Sequence, residues 1–118
     1  MRKSFRKWDI IFVAVPNQEN PNKFTKRPAI ILAVNNNNTV KICPITKQIH
    51  QASRYNQTIN ILQGSPESFG TNLNQLPSLI VLDRIETIQD VSIEFAFGTC
   101  PQVLIDQIEK IIKENNLL

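Results

Sequence analysis

With 118 residues, 42% of them apolar and 19% charged, the chain has the size and make-up of one globular domain, residues 1–118, and is neither fibrous nor a disordered polyelectrolyte. Its longest apolar runs fall far short of the ~18 residues of a membrane span, so a cytoplasmic protein without membrane contact is expected. The net charge of +3 is unevenly spread: residues 1–54 hold ten Lys/Arg and two carboxylates, while residues 55–118 hold three and eight. If the first half folded into one contiguous face, that face would attract polyanions.

A basic lead-in precedes a first predicted strand over residues 9–15, a short β-branched run closed by Pro16 and an Asn/Pro loop. Residues 27–34 predict a second strand, apolar throughout and so covered on both faces, with Pro28 tolerated at its start. Four asparagines, residues 35–38, predict a tight turn, because Asn accepts positive φ readily. A third strand follows over residues 39–45. In residues 56–62, Ile59 and Ile61 alternate with Thr58 and Asn60, which predicts a strand with one wet face. Residues 63–77, rich in Gly, Pro and Asn, form a long loop of the kind that carries function.

Strand character returns at residue 78 and is expected to continue to Ile88. Val91, Ile93, Phe95 and Phe97 then alternate as another half-buried strand. Behind Pro101, the spacing of Leu104, Ile108, Ile111 and Ile112 predicts an amphipathic helix over residues 102–115. These elements together predict a mainly β (α+β) fold, a bent antiparallel sheet or small barrel with a C-terminal helix. Cys43, Cys100 and His50 are too few for a structural zinc site. Neither metal nor cofactor is expected, and a Cys43/His50 nucleophilic pair lacks a third, orienting residue.

Arg27-Pro28 at the opening of one strand, Cys43-Pro44-Ile45-Thr46 at the close of the next, and Asp83-Arg84-Ile85-Glu86-Thr87-Ile88 later in the chain resemble, in this order and spacing, the MazF/PemK family of toxin mRNA interferases. The resemblance spans nearly the whole chain. It implies an SH3-like barrel, a homodimer, cleavage of single-stranded RNA, and neutralisation by an antitoxin. The chain departs from the family pattern at Trp8, where Gly is common, at Lys47, where Ser is common, and at Glu86, where Arg is common.

RNA is cut without metal when its 2′-OH attacks the neighbouring phosphate in line, which calls for proton transfer and for charge-assisted donors on the phosphate. Arg27 suits the donor role through its planar fork, and Thr46 offers a hydroxyl. The resemblance assigns catalysis to this Arg and Thr. It also singles out Asp83, as a proton acceptor or as a residue orienting Arg84. Lys23, Lys26, Lys47 and Arg84 are the candidate RNA-binding cations. His50 and Glu19 sit on polar loops without an assigned role. Two other functions fit a fold of this kind: a toxin that binds a protein such as gyrase, and a non-catalytic nucleic-acid module.

Overall fold

In a computed structural model that describes residues 4–16, 20 and 22–118, the chain forms strands β1 (Asp9–Pro16), β2 (Phe24–Val34), β3 (Thr39–Thr46), β4 (Thr58–Ile61), β5 (Ser78–Val81), β6 (Glu86–Gln89) and β7 (Ile93–Thr99), followed by helix α1 (Gln102–Asn115). The pairings are antiparallel, in the order β4-β5-β3-β2-β1-β7, and β6 pairs with β3 further along the edge that β5 uses. The mainly β fold with a closing helix is thus as the sequence predicts.

Strand alternation divides the core into two clusters. Ile10, Ile30, Leu32, Cys43 and Ile45 point to one side, where Ile59 and Ile61 of β4, Ile80 of β5, and Leu104 and Ile108 of α1 cover them. Ile11, Val13, Ala29, Ile31, Val40 and Ile42 point to the other, where Ile93 of β7 and Ile88 of β6 join them. Five strands therefore curl round this second cluster as a small barrel. Both faces of β2 are covered from Ala29 to Leu32, which is why that stretch reads apolar. Burial of each of these large side chains contributes about 1.5–3 kcal/mol.

Several boundaries differ from the sequence reading: the strand expected over residues 56–62 is Thr58–Ile61, and Val91, expected in the last strand, is exposed in a 3-10 turn, Asp90–Ser92. β2 begins at Phe24, so Arg27 and Pro28 lie inside it. The run expected from residue 78 to 88 is broken by a 3-10 turn, Leu82–Arg84, that moves the chain from β5 to β6. Asp83 pins this corner by accepting hydrogen bonds from the backbone N–H of Asn56 at 2.8 Å and of Gln57 at 2.6 Å.

Trp8, where the family pattern has glycine, holds φ at +75°. Only glycine takes that conformation without steric cost. The indole offsets this cost by packing against the helix-side core, with Lys7 Nζ 5.1 Å from the ring centroid. The Trp8 backbone also ties three segments, donating to Ile31 O at 2.7 Å and accepting from Cys100 N at 3.0 Å.

Candidate active site

The β2–β3 ladder starts at the pair Ala29–Pro44, although both strands run past it. Pro44 and the adjacent Pro28 have no N–H with which to continue it. Beyond this point residues 24–28 stay with β1, while Ile45 and Thr46 pair with Ile80 and Leu79 of β5. The two strands part. A cleft of about 680 Å³ opens there, lined by residues 25–28 on one side, 45–48 on the other and 72–75 at the end, with Phe12, Phe95 and Phe97 as its apolar surface. The prolines of Arg-Pro and Cys-Pro thus create the opening that Arg27 and Thr46 border.

Arg27 and Thr46 each lie two residues past the Ala29–Pro44 pair, and both line the cleft. Arg27 also pairs with Val13, a barrel-interior residue, so its side chain leaves the sheet at the open end of the barrel. Arg84, Tyr55 and Glu86 lie within electrostatic reach of it there. Glu86 arrives by pairing with Ile42, which points to the same interior.

Burial, and then the like charge of Arg84, hold the Arg27 guanidinium below its ordinary pKa; Tyr55 and Glu86 oppose the shift. With an ordinary value so far above neutrality, Arg27 remains a cation. Its Nε is buried and has no hydrogen-bond partner among the described residues. An unsatisfied donor of this kind is costly, and an anionic oxygen would satisfy it. The Thr46 hydroxyl oxygen accepts from Gln48 N at 3.2 Å, which closes the turn and leaves the hydroxyl hydrogen to donate. Thr46 therefore caps a turn and offers a donor at the same time.

Of the four predicted RNA-binding cations, Lys26 and Lys47 line the cleft, beside Arg27 and Thr46. Lys26 Nζ forms an ion pair with Glu94 at 2.6 Å, and both side chains are exposed enough for a polyanion to compete. Lys23 is exposed in the turn ahead of β2 and lies outside the cleft lining. Arg84 is likewise outside it, in an ion pair with Glu86 at 3.4 Å. Asp83 is not among the residues lining the cleft, and both its oxygens accept backbone N–H groups at the corner before β6.

His50 is exposed on a 3-10 turn, Ile49–Arg54, and Glu19 lies outside the described residues. Cys43 and Cys100 are buried; burial pushes the Cys43 thiol far up and the Cys100 thiol to about 12, so neither is poised as a nucleophile. Among the described residues no three His, Cys, Asp or Glu side chains group as metal ligands. No helix of the described residues is long and apolar enough to cross a membrane. The basic first half is not one contiguous face: Lys26, Arg27 and Lys47 gather at the cleft, whereas Lys7 lies on the helix side near Asp106 and Glu109.

Sequence reasoning missed the aromatic surface of the cleft. Regular alternation would put Ile93, Phe95 and Phe97 on one face, yet the register of β7 against β1 shifts twice, at Glu94 and at Phe97. The first bulge separates Ile93, in the barrel, from Phe95, which pairs with Phe12 on the cleft side. The long loop was also more ordered than its composition suggests. Hydroxyls of Ser65, Ser68 and Thr71 each donate to the carbonyl three residues back, at 2.6–2.7 Å. That three-residue spacing was the available signal. Asn72 Nδ2 donates to Phe97 O at 2.7 Å, Thr99 N donates to Gly70 O at 2.9 Å, and Gly98 lies so close to the Thr71 carbonyl that a Cβ there would collide. These contacts hold the loop against β7 as the end wall of the cleft.

No curated protein matches the sequence. In fold, the chain is similar to a solved structure described as an endoribonuclease in complex with its cognate antitoxin, from a mycobacterial species, with a TM-score of 0.63 over 96% of this chain and 93% of that one at 11% identity. The family model for the PemK-like, MazF-like toxin of type II toxin-antitoxin systems matches residues 6–115. With the Arg-Pro and Cys-Pro-Ile-Thr segments meeting at one opening inside that span, the chain belongs to the PemK-like, MazF-like toxins of type II toxin–antitoxin systems.

Proposed function

We propose that this toxin is an endoribonuclease that cuts single-stranded RNA by attack of a 2′-OH on the adjacent phosphate, without a metal ion. The observation that carries this reading is that Arg27 and Thr46 line one cleft where β2 and β3 part, together with Lys26 and Lys47. Arg27 supplies charge-assisted donors to the non-bridging phosphate oxygens as negative charge builds on them, and Thr46 supplies a neutral donor beside it. The lysines hold neighbouring phosphates. DNA lacks the nucleophile and is bound without being cut.

Glu86 beside Arg84 keeps the local charge at Arg27 from becoming purely repulsive, so the departure from the family's Arg at this position leaves Arg27 as the principal phosphate donor. The gyrase-binding and non-catalytic readings give no role to an arginine and a threonine hydroxyl lining one cleft. Homodimerisation and neutralisation by an antitoxin complete the proposal. The fold neighbour is described as bound to its cognate antitoxin, and an acidic antitoxin segment lying over Lys26 and Lys47 would exclude RNA by occupying the same charges.

The test is incubation of purified protein with single-stranded RNA in EDTA, followed by analysis of product ends. Fragments ending in 2′,3′-cyclic or 3′ phosphate, with DNA of the same sequence intact, are expected. Activity that vanishes in EDTA and returns with magnesium would overturn the mechanism.

A further inference from the structure

We propose that Glu94 sets the affinity of this toxin for RNA: it is an acidic competitor built into the sheet that holds Lys26 until a phosphate of the strand displaces it, which makes the two lysines of the cleft unequal. The inference rests on the endoribonuclease reading and adds a residue outside the cleft lining that governs how tightly the strand is held. Lys26 Nζ and a Glu94 carboxylate oxygen are 2.6 Å apart, although Lys26 lies on β2, Glu94 on β7, and β1 runs between them. Neighbouring strands are about 4.8 Å apart, so two backbones separated by a third stand roughly 9–10 Å from each other and the side chains must meet over β1. Lys26 pairs there with Ala14, whose methyl group is small enough to be crossed.

Glu94 reaches this face because β7 is irregular at that point. Ile93 pairs with Val13 and turns into the barrel, Phe95 pairs with Phe12 on the cleft side, and Glu94 lies at the register shift between them. Phe95 stacks on Phe12, with ring centroids 5.5 Å apart, while Glu94 meets Lys26. Two consecutive residues of β7 thus reach a face that regular alternation would give to one. An extra residue of this kind re-aims a side chain, and here the side chain is a carboxylate brought to a cation of the cleft.

Lys26 lines the cleft and Glu94 does not, so the pair ties a substrate-facing cation to a group just outside. The two side chains are 60% and 39% exposed. An ion pair that open to water shifts an equilibrium only a few-fold, enough to tune binding and too little to block it. A phosphate that takes Lys26 must give up this contact. Lys47, on the other side of the cleft, is exposed and in no ion pair among the described residues, so a phosphate meets it without a competitor.

The experiment is a double-mutant cycle of Glu94→Gln and Lys26→Met, read as affinity for a fluorescein-labelled, 2′-O-methyl single-stranded RNA, which cannot be cleaved. Glu94→Gln keeps the shape of the side chain and removes its charge. It is expected to tighten binding by roughly 1.5- to 5-fold, the range for one exposed ion pair, and to do so far less in the Lys26→Met background, where no cation remains to be freed. Glu94→Asp, whose carboxylate is one methylene further back, should lie between wild type and Glu94→Gln. Lys26→Met should cost less affinity than Lys47→Met in the otherwise wild-type protein, and about as much in the Glu94→Gln background. On cleavable RNA, Glu94→Gln should lower KM and leave kcat near wild type, because the carboxylate touches no reacting atom. Unchanged or weaker binding by folded Glu94→Gln would overturn the proposal. An equal gain with and without Lys26 would do the same, by showing general charge repulsion in place of competition for one cation. Either result leaves the endoribonuclease reading in place, whereas a wild-type protein that neither binds nor cuts RNA would remove that reading as well.

Discussion

Replacing Arg27 with methionine should make the protein more stable and nearly inactive. The side chains are similar in length, so the change removes a charge and a set of donors with little loss of packing. Arg27 Nε is buried without a partner, and both burial and Arg84 disfavour the cation. A buried donor left unsatisfied costs about 1–3 kcal/mol, which methionine would recover. For a chain of 118 residues each kcal/mol moves the melting temperature by about 3–5 °C, so a rise of several degrees is expected. Removal of a preorganised donor to a reacting oxyanion costs on the order of a hundred- to a thousandfold in rate. Arg27→Lys keeps the charge but loses the planar fork, and should fall between the two. Initial rates on a fluorogenic single-stranded RNA, with a thermal melt followed by circular dichroism, read both quantities. A methionine variant that melts below the wild type, or that cuts at the wild-type rate, would refute the argument that Arg27 is held under strain for phosphate.

Neutralising Lys26 and Lys47 together should flatten the slope of log affinity against log salt by about 1.4 units, given about 0.7 counterion released per phosphate on a single strand; titrations at several salt concentrations test it, and an unchanged slope would place the strand elsewhere. Asp83→Ala should destabilise the fold by about 1–3 kcal/mol, because Asn56 and Gln57 lose a charged acceptor, while the cleavage rate per folded molecule stays near wild type; a rate loss without a stability loss would return Asp83 to the chemistry. Trp8→Gly relieves a positive φ worth about 1–2 kcal/mol but gives up partial burial of a large ring, worth about 3 kcal/mol or more when truncated in a core, so denaturant melts should show a net loss of about 1–2 kcal/mol. Neither thiol should react with a thiol-specific disulfide reagent at pH 8 in the folded protein, since the Cys43 and Cys100 thiols are held above their ordinary values by burial; prompt labelling without denaturant would contradict that burial.

The legible parts of the sequence were those where local pattern and long-range environment agree. Ile59 and Ile61 alternate with polar neighbours and are buried as that pattern requires, and the helical spacing of Leu104 and Ile108 corresponds to α1 over residues 102–115. Arg27 and Thr46 could be named from their motifs. That they border one opening depends on how Pro28 and Pro44 interrupt a ladder between strands, which is a property of two segments together. The partners of Asp83 were hidden for a related reason: its motif position marks a carboxylate, and only the fold shows that it accepts from two backbone N–H groups 26 and 27 residues away. The cleft-side position of Phe95 was hidden because a bulge inserts a residue without any mark in the apolar–polar pattern, so periodicity assigned the ring to the wrong face.

The same two bulges bear on what the chain does at high concentration. β7 ends the strand order on one side, and β4, at the other end, has four residues. An unbroken outer strand invites a neighbouring copy to add its own, and such growth continues into aggregates. β7 offers no flat run of backbone groups for that purpose, because its register breaks twice within seven residues. Copies of the chain that meet at β7 must join through side-chain surfaces, which limits growth in a way that open-ended strand addition does not.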